Sequence, residues 1–337
     1  MGLSSSYQGS APRRVCYGPF MVIPVSHDPY GDRILSRERL SGGASGAIIE
    51  RIGLDDGRTL VRKAFSPDSD WMMRATRDRG RAAELWVTGA MDRLPRTIDP
   101  ALVAIERGRE GGWVLWLEDV SDHFVRNGTT ISAAEVRRFL AAAAEMHAAF
   151  DGTEVPGLAT IEDLLLLASP ATVAREAGAD APFLAHVEAG WQAFDELVPR
   201  DVRDGIRAAL DDPHPLAEAL RSGSTTLVHA DLHYGNVAPA ADRFYVLDWG
   251  LATHAPAALD VAWYLDQSAR FLGPARDEVL DLFAELEGPR HDPRVLRLAL
   301  LAELVLSGWS YRDALAAPGE ADRRRCGADV DWWMDRA

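Results

Sequence analysis

The stretch HADLHYGN, residues 229–236, and the stretch VLDWG, residues 246–250, are the parts of the sequence on which its interpretation depends most. Asp231 and Asn236 are five residues apart, and Asp248 follows Asn236 after a further twelve. The strand-like segments TLVHA and RFYVLDW surround this loop, so Asp248 is expected at a strand end. The spacing predicts an aspartate that accepts a proton, next to oxygen ligands for a divalent cation.

Lys63 is the only lysine among the 36 basic residues of the chain, and the other 35 are arginine. It lies in the strand-like segment TLVRKAF, 17 residues after Gly46, the last glycine of SGGASG. That spacing excludes a Walker A loop, in which the lysine follows the glycines directly. It favours a glycine-rich hairpin over nucleotide phosphates, with the lysine on a neighbouring strand. A compact ammonium, which arginine cannot imitate, explains why lysine is retained here.

Two further predictions belong to this nucleotide site. Glu84, on the helix that follows the hairpin, is the expected carboxylate partner of Lys63. The loop residues expected to contact phosphate are Ser41, Gly42, Gly43, Ser45 and Gly46.

Composition limits the other classes of function. The formal net charge of −15 argues against a protein that neutralises nucleic-acid phosphates. Cys16 and Cys326 form no disulfide framework or zinc pattern, so a reducing cytoplasm is the expected location. The apolar stretch LALLAELVLSGW is too short to span a bilayer and contains Glu303, so no membrane partner is expected.

The order of short strands and long helices predicts an α+β fold with two lobes. Residues 1–33 are expected to be a partly disordered leader, and the sequence leaves open whether residues 1–20 are native. Residues 34–120 are expected to form a β-rich nucleotide-binding lobe that carries one helix over about 69–93 and ends in a hinge. Residues 121–337 are expected to form a helical lobe with the catalytic loop and the acceptor pocket.

Taken together, HADLHYGN, VLDWG and LDVAWYL resemble the aminoglycoside phosphotransferase and small-molecule kinase family over about residues 36–270. The resemblance implies a bilobal protein-kinase-like fold with Mg²⁺ as cofactor and ATP or GTP as phosphoryl donor. It implies that Asp231 is the catalytic base and that Asn236 and Asp248 are the metal ligands. It further implies that His229 supports the loop, that Asp260 anchors it, and that the segment LEDV, with Glu118 and Val120, is the hinge that holds the purine.

The sequence departs from the family pattern at two places. Ala230 stands where glycine is usual, which is tolerable unless this residue needs a positive φ. The glycine-rich loop is SGGASG rather than the GxGxxG of protein kinases.

The same residues argue against several alternative functions. His229 and His233 are spaced as in a zinc protease, but Ala230 replaces the glutamate that such a site requires. A protein kinase is disfavoured because only twelve residues separate Asp248 from Asp260, which leaves little room for an activation segment. A nucleotide-binding protein without turnover is disfavoured because Lys63, Asp231, Asn236 and Asp248 are all present. His147 is interpreted as a packed interior residue.

The acceptor is expected to be a hydroxylated small molecule. Family members act on antibiotics and on metabolites, and an arginine-rich, alanine-rich composition is typical of a high-GC genome such as that of an antibiotic producer. An antibiotic acceptor, in self-resistance or biosynthetic tailoring, is therefore the first choice, and a sugar, choline or amino-alcohol kinase is the alternative. Asp266 and Glu303 are the candidates for contacting a cationic acceptor, and the interpretation as solvated helical acids stays open.

Overall fold

The computed structural model describes residues 29–40, 45–108, 111–179, 181–310 and 331–336, apart from the side chains of residues 196 and 197. The expected leader up to residue 28 and the loop residues Ser41, Gly42 and Gly43 lie outside the described residues.

A five-stranded antiparallel sheet forms the body of the N-terminal lobe, as predicted. The strands up to residue 118 are β1 (Ile34–Arg39), β2 (Ile48–Leu54), β3 (Thr59–Phe65), β4 (Ile98–Asp99), β5 (Leu102–Arg107) and β6 (Trp113–Glu118). Five of them form the sheet in the order β1-β2-β3-β6-β5. The alternation of side chains places Lys63 on the face of Phe65, which packs on the main core, and Arg62 on the opposite face.

The single helix predicted over about residues 69–93 is interrupted in the structure. It consists of α1 (Trp71–Ala75), α2 (Arg81–Val87) and a short 3₁₀ turn at Met91–Arg93. Asp70 caps α1 by accepting hydrogen bonds from Met72 N at 2.9 Å and Met73 N at 3.1 Å. Gly80 has φ = +112°, and a Cβ there would overlap the indole of Trp113. The chain therefore turns between the two helices at a position that only glycine fits.

The C-terminal lobe is mostly helical. Its helices are α3 (Ala133–Phe150), α4 (Ile161–Leu165), α5 (Pro170–Arg175), α6 (Pro182–Leu197), α7 (Arg200–Asp211), α8 (His214–Arg221), α9 (Ala258–Gln267), α10 (Arg276–Glu287) and α11 (Pro293–Ser307). Residues 331–336 are helical as well. The predicted cap of α3 is confirmed, since Ser132 Oγ accepts a hydrogen bond from Glu135 N at 3.3 Å. None of the described helices has the length and apolarity needed to cross a bilayer.

Two small sheets carry the segments around HADLHYGN. Their strands in the C-terminal lobe are β7 (Thr226–Val228), β8 (Val237–Pro239), β9 (Phe244–Val246) and β10 (Thr253–Ala255). β7 pairs with β10, and β8 and β9 form a hairpin. β4, which precedes the last two strands of the N-terminal lobe, pairs in parallel with β9. This pairing joins the two lobes next to the loop that carries Asp231.

Candidate active site

The loop between β7 and β8 is anchored by Asp260 on α9. Asp260 is buried, and its two carboxylate oxygens accept hydrogen bonds from the backbone N–H groups of His229, at 3.1 Å, and Ala230, at 2.7 Å. Buried N–H groups need such partners, because an unpaired one costs free energy. Asp260 therefore fixes the chain immediately before Asp231.

Ala230 adopts a left-handed backbone with φ = +60°. The alanine that replaces the family's usual glycine therefore does occupy a position with a positive φ, which glycine adopts more readily than alanine. The two backbone hydrogen bonds to Asp260 hold this residue and the one before it in place.

Asp231 and Asn236 lie in direct contact. The amide nitrogen Nδ2 of Asn236 donates to Asp231 Oδ2 at 2.7 Å and to the backbone oxygen of Asp231 at 3.1 Å. His233 Nε2 lies 3.4 Å from Asp231 Oδ1, while His233 Nδ1 accepts a hydrogen bond from Gly235 N at 3.0 Å. Since Nδ1 accepts, Nε2 carries the proton in the neutral ring and faces the carboxylate. Asp231 is thus held from both of its oxygens.

Lys63 and Asp248 form an ion pair across the interface of the lobes. Lys63 Nζ donates to Asp248 Oδ2 at 2.7 Å. Burial opposes the charge on Lys63, but the charge of Asp248 and its hydrogen bond raise the pKa of the ammonium above its ordinary value. Burial likewise acts to raise the pKa of the Asp248 carboxyl, but Lys63 outweighs it and lowers that pKa. Asp231 and Asp70 add further negative charge near the ammonium.

The predicted pairing of Lys63 with Glu84 is replaced in the structure by the pairing with Asp248. The carboxylate of Glu84 lies against Gly157 of the C-terminal lobe, where a Cβ would sit 1.9 Å from Oε2. The interruption of the predicted helix explains this difference, because α2 begins after a separate turn and Glu84 faces the segment that follows α3. The assignment of Glu84 to the nucleotide site is therefore not supported by its contacts.

Asp70 is the acidic residue near Lys63 that the sequence interpretation missed. It is buried, and its Oδ2 accepts a hydrogen bond from Ser45 Oγ at 2.6 Å, while Trp71 N donates to Ser45 O at 3.0 Å. Gly46 has φ = +105° and packs against Ser69 O. The end of the glycine-rich loop is thereby fixed to the start of α1. An aspartate directly before a helical segment is an N-cap signal and would have identified it.

His229 sits beneath the loop as a neutral side chain. Burial lowers the pKa of its imidazole, and Nε2 donates to the carbonyl of Leu247 at 2.9 Å. Its ring packs edge-on against Trp249, with centroids 4.7 Å apart. His229 therefore links the Asp231 loop to the segment that carries Asp248.

His147 lies in a buried chain of charged groups that ends at Asp260. Its Nε2 is 3.1 Å from Asp260 Oδ2, its Nδ1 is 2.7 Å from Glu287 Oε1, and Arg290 Nε donates to Glu287 Oε2 at 3.0 Å. Both ring nitrogens face carboxylates, and only the protonated ring has a donor on each nitrogen. Burial by itself lowers the pKa of His147, but these two hydrogen bonds outweigh it and raise the pKa to about 9.

The predicted hinge follows the end of β6. The backbone N–H of Glu118 donates to Ala101 O at 2.8 Å, so this group is already used within the lobe. Val120 is buried and packs with Ala101 and Ala238. Asp119 between them accepts a hydrogen bond from Arg51 Nε at 2.9 Å. The segment is thus tied to both lobes, to the N-terminal lobe through Arg51 and Ala101 and to the C-terminal lobe through Ala238.

The oxygen atoms of Asn236 and Asp248 fit a hard divalent cation. Mg²⁺ binds through one or two protein oxygens and completes its shell with water and substrate phosphates. Among the described residues no group of three or more His, Cys, Asp or Glu side chains is arranged to hold a metal. The groups that could hold Mg²⁺ are the amide oxygen of Asn236 and the carboxylate of Asp248, which together match the one or two protein oxygens that Mg²⁺ uses beside substrate phosphates.

Asp266 and Glu303, the candidates for acceptor contact, are placed together. Glu303 is buried, accepts a hydrogen bond from Ser307 Oγ at 2.6 Å, and lies close enough to Asp231 to feel its charge. Burial raises the pKa of Glu303 well above its usual value, and the neighbouring Asp266 raises it further. Burial also raises the pKa of Asp266, to about 6, while Arg276 opposes this effect. Neither residue behaves as a solvated helical acid.

A model of the phosphotransferase enzyme family matches residues 36–298 of the chain. None of the curated proteins compared with the chain matches it.

Solved structures share the fold over most of the chain. Spectinomycin phosphotransferase APH(9)-Ia, in complex with ADP and spectinomycin, is 14% identical with a TM-score of 0.50, and the match covers 90% of this chain and 89% of that chain. Choline kinase LicA from Streptococcus pneumoniae is 12% identical with a TM-score of 0.52, over 90% and 94% of the two chains. APH(3'')-Id from Streptomyces rimosus, in complex with ADP and streptomycin, is 16% identical with a TM-score of 0.51, over 79% and 94%. These likenesses establish a kinase-like fold.

Proposed function

Because the chain belongs to the phosphotransferase enzyme family, we propose that it moves the γ-phosphoryl group of ATP or GTP to a hydroxyl group of a small molecule. One observation carries this proposal. Lys63, Asp231 and Asp248 come from three separate segments and form one cluster, in which Lys63 bonds to Asp248 at 2.7 Å and Asp231 lies within electrostatic reach of the same ammonium. A phosphoryl-transfer site needs this combination of a cation, a base and a metal-binding carboxylate.

The chain's own residues would act mainly by positioning and by balancing charge. Asp231 would orient the acceptor hydroxyl and take its proton, since its carboxylate is held by Asn236 and faced by His233. Lys63 would bind the donor phosphates. Asn236 and Asp248 would hold Mg²⁺, which when bound neutralises the negative charge of the phosphates.

The donor is proposed to be a purine nucleotide. Solved structures with this fold are described in complex with ADP, AMP and GDP, which supports a purine and leaves the base open. The backbone between Glu118 and Val120 would receive the base, through groups other than the Glu118 N–H that bonds to Ala101.

The acceptor is proposed to approach along the cleft beside the end of the glycine-rich loop. This cleft has a volume of about 890 Å³, within the range of sites for drug-sized ligands. It lies between Ser45 and Gly46 on one side and the start of α6 on the other. Its lining contains Arg39, Arg74 and Arg175 together with Asp68 and Glu176.

The charged side chains that line this cleft, three arginines and two acids, favour an acceptor with few positive charges. Glu176 is already bonded to Arg74, at 2.8 Å, and to Arg175, at 3.3 Å. Burial and the neighbouring Asp266 raise the pKa of Glu303, which lies near Asp231. A narrow pocket beside Ala230, lined mostly by leucines and by Trp263 and Glu303, has a free volume of only about 10 Å³, which is the space of about one water molecule. A hydroxylated antibiotic of low charge fits this description, and a neutral metabolite is the alternative.

The experiment is to measure release of ADP or GDP with Mg²⁺ across acceptors that differ in charge. The panel would contain weakly charged hydroxylated antibiotics, polycationic aminoglycosides, sugars and choline, each with ATP and separately with GTP, and the variant Asp231→Asn as the control. Acceptor-dependent release that is lost in the variant supports the proposal and identifies the acceptor class. Nucleotide binding without release for any acceptor in the panel would argue against a phosphotransferase acting on these classes.

A further inference from the structure

Arg81, at the start of α2, is a charged side chain that is almost completely buried, with 3% of its surface exposed. Its guanidinium donates to three backbone carbonyls, those of Thr76 at 3.1 Å, Gly157 at 3.2 Å and Gly250. Its countercharge is Asp78, whose Oδ2 lies 3.8 Å from Nη1. Burial of a guanidinium is costly unless its donors are paired, so this arrangement needs a reason.

The three carbonyls belong to three different parts of the molecule. Thr76 lies in the turn between α1 and α2 of the N-terminal lobe. Gly157 lies in the segment between α3 and α4 of the C-terminal lobe. Gly250 lies in the 3₁₀ turn at Trp249–Leu251, two residues after Asp248. A single side chain thus joins both lobes to the turn that follows the proposed metal ligand.

The backbone around Arg81 is fixed as well. Asp78 Oδ1 accepts hydrogen bonds from Gly80 N at 2.7 Å and from Arg81 N at 2.6 Å. Asp78 Oδ2 also faces Gly250, since a Cβ placed there would lie 4.0 Å from it. The ion pair is therefore held against the turn, so movement of α2 would be transmitted to Gly250.

The conformation of Asp248 explains why such a contact matters. Asp248 has φ = +61°, which is uncommon for a residue other than glycine and persists only where surrounding contacts hold it. On its other side Asp248 is bonded to Lys63 of the same lobe that carries α2. The N-terminal lobe consequently holds the segment from Asp248 to Gly250 at two points, the carboxylate of Asp248 and the carbonyl of Gly250.

We propose that Arg81 is a positioning residue for Asp248, which it keeps in the conformation that binds Mg²⁺ with the nucleotide. This inference rests on the proposed function, because it takes Asp248 as a metal ligand. It makes Arg81 the link between α2 and the metal site, whereas Glu84 on the same helix was predicted only as the partner of Lys63. Arginine is required because Nε, Nη1 and Nη2 of its planar guanidinium each donate to a different carbonyl, whereas the three donors of a lysine ammonium all start from one nitrogen.

The test compares Arg81→Lys with Arg93→Lys in the full chain. Arg93 also reaches from the N-terminal lobe to the helical lobe, where it donates to Ala149 O at 2.9 Å, and among the described residues it has no contact with the Asp248 turn. For each protein the affinity for ADP is measured with Mg²⁺ varied and again with EDTA. The Mg²⁺ concentration that gives half of the increase in ADP affinity is expected to rise about tenfold in Arg81→Lys. Loss of a group that orients a metal ligand typically weakens metal binding by this amount. Metal-free ADP affinity should be unchanged in both variants.

An unchanged Mg²⁺ requirement in Arg81→Lys would overturn the inference, as would an equal loss of metal-free ADP affinity, which would mean that Arg81 only supports the fold. If the wild-type protein binds no nucleotide at all, the proposed function fails instead.

A second measurement needs no variant and covers the case in which Arg81→Lys does not fold. Amide hydrogen exchange of the wild-type protein is followed with ADP alone and with ADP and Mg²⁺. Because Arg81 joins the start of α2 to Gly250, Mg²⁺ is expected to slow exchange at residues 249–252 and at the start of α2 together. Slowing at residues 249–252 without any change in α2 would overturn it.

Discussion

Two adjacent residues on β3, Arg62 and Lys63, allow a matched test of what a lysine supplies that an arginine does not. Arg62 bonds to Glu50 at 2.8 Å on the outer face of the sheet, and Lys63 bonds to Asp248 in the cleft. Lys63→Arg is expected to raise the KM for the nucleotide by at least about tenfold, because a charged hydrogen bond contributes about 1.5–3 kcal/mol and a guanidinium does not fit an ammonium site. Arg62→Lys is expected to leave the KM within about twofold. Equal effects in steady-state kinetics would contradict the role of Lys63.

Asp231 carries the second prediction at this scale. Asp231→Asn removes the carboxylate that is proposed as the base but keeps the shape of the side chain, so turnover is expected to fall by at least about a hundredfold while nucleotide affinity is retained. The matched control is Asp242→Asn, since Asp242 is 73% exposed and bonds only to Arg243 among the described residues. Single-turnover kinetics and equilibrium binding separate the two effects. Full activity in Asp231→Asn would remove this residue from the chemistry.

Ala230 offers a test of stability. Its φ of +60° costs an alanine about 1 kcal/mol or more relative to glycine. Glycine also gains entropy in the unfolded chain and lacks the buried methyl group of Ala230, and both effects offset part of this difference. Ala230→Gly is therefore expected to raise the free energy of unfolding by up to about 1 kcal/mol. Ala238→Gly, in β8, is the control and should lower it, because Ala238 is fully buried in a strand. Urea denaturation measures both, and a clear loss of stability in Ala230→Gly would contradict the argument.

At the scale of elements, the sequence predicted the sheet, the cap of α3 and the strand ends that place Asp231 and Asp248. These features could be predicted because each depends on residues close together in the sequence: strand-like apolar segments separated by turns for the sheet and the strand ends, and a serine before a helix for the cap. The partner of Lys63 could not be predicted in this way, because it depends on where α2 lies after the turn at Gly80. The three carbonyls bonded by Arg81 gave no sequence signal either, since backbone acceptors are the same at every residue.

The contact of α3, α9 and α10 through His147 predicts a dependence of stability on pH. The pKa of His147 is raised from 6.5 to about 9, so its protonated form stabilises the folded state, and this stabilisation is fully present below about pH 6.5 and is lost as the pH rises through 9. The rise in pKa corresponds to about 3 kcal/mol at most. The groups that face the ring are Asp260 and Glu287, with Arg290 behind Glu287.

The measurement is the free energy of unfolding of the wild type and His147→Gln from pH 6 to pH 9.5. The difference between them should be largest at pH 6 and should shrink as the pH rises. His214→Gln is the control, because His214 is 68% exposed and lies 3.4 Å from Glu162, so its substitution should have little effect at any pH. A difference for His147→Gln that stays constant with pH would show that its ring is neutral in the folded protein.

At the scale of the whole molecule, the nucleotide is expected to stabilise both lobes together, because the cluster of Lys63, Asp231 and Asp248 proposed to bind it is shared between them. At 100 times its Kd, a ligand stabilises the folded state by about 2.7 kcal/mol. ADP with Mg²⁺ should therefore raise the Tm of the full chain in a single transition, and EDTA should reduce the rise. The variant Asp248→Asn should show the same Tm shift with and without EDTA. Two separate transitions, or no response to EDTA in the wild type, would contradict a metal-assisted site between the lobes.

The parallel pairing of β4 with β9 has a consequence for how the molecule could be taken apart. Phe244 N donates to Thr97 O at 2.8 Å, and β4 continues this pairing along β9. A peptide bond cut between the hinge and α3 would sever the covalent connection of the lobes but leave this strand pair and the contacts of Arg81 intact. The two pieces would then be expected to stay associated and to be usable as complementing fragments, expressed separately and reassembled. The lobes are therefore held together by the pairing of β4 with β9 and by the contacts of Arg81, as well as by the covalent connection that follows β6.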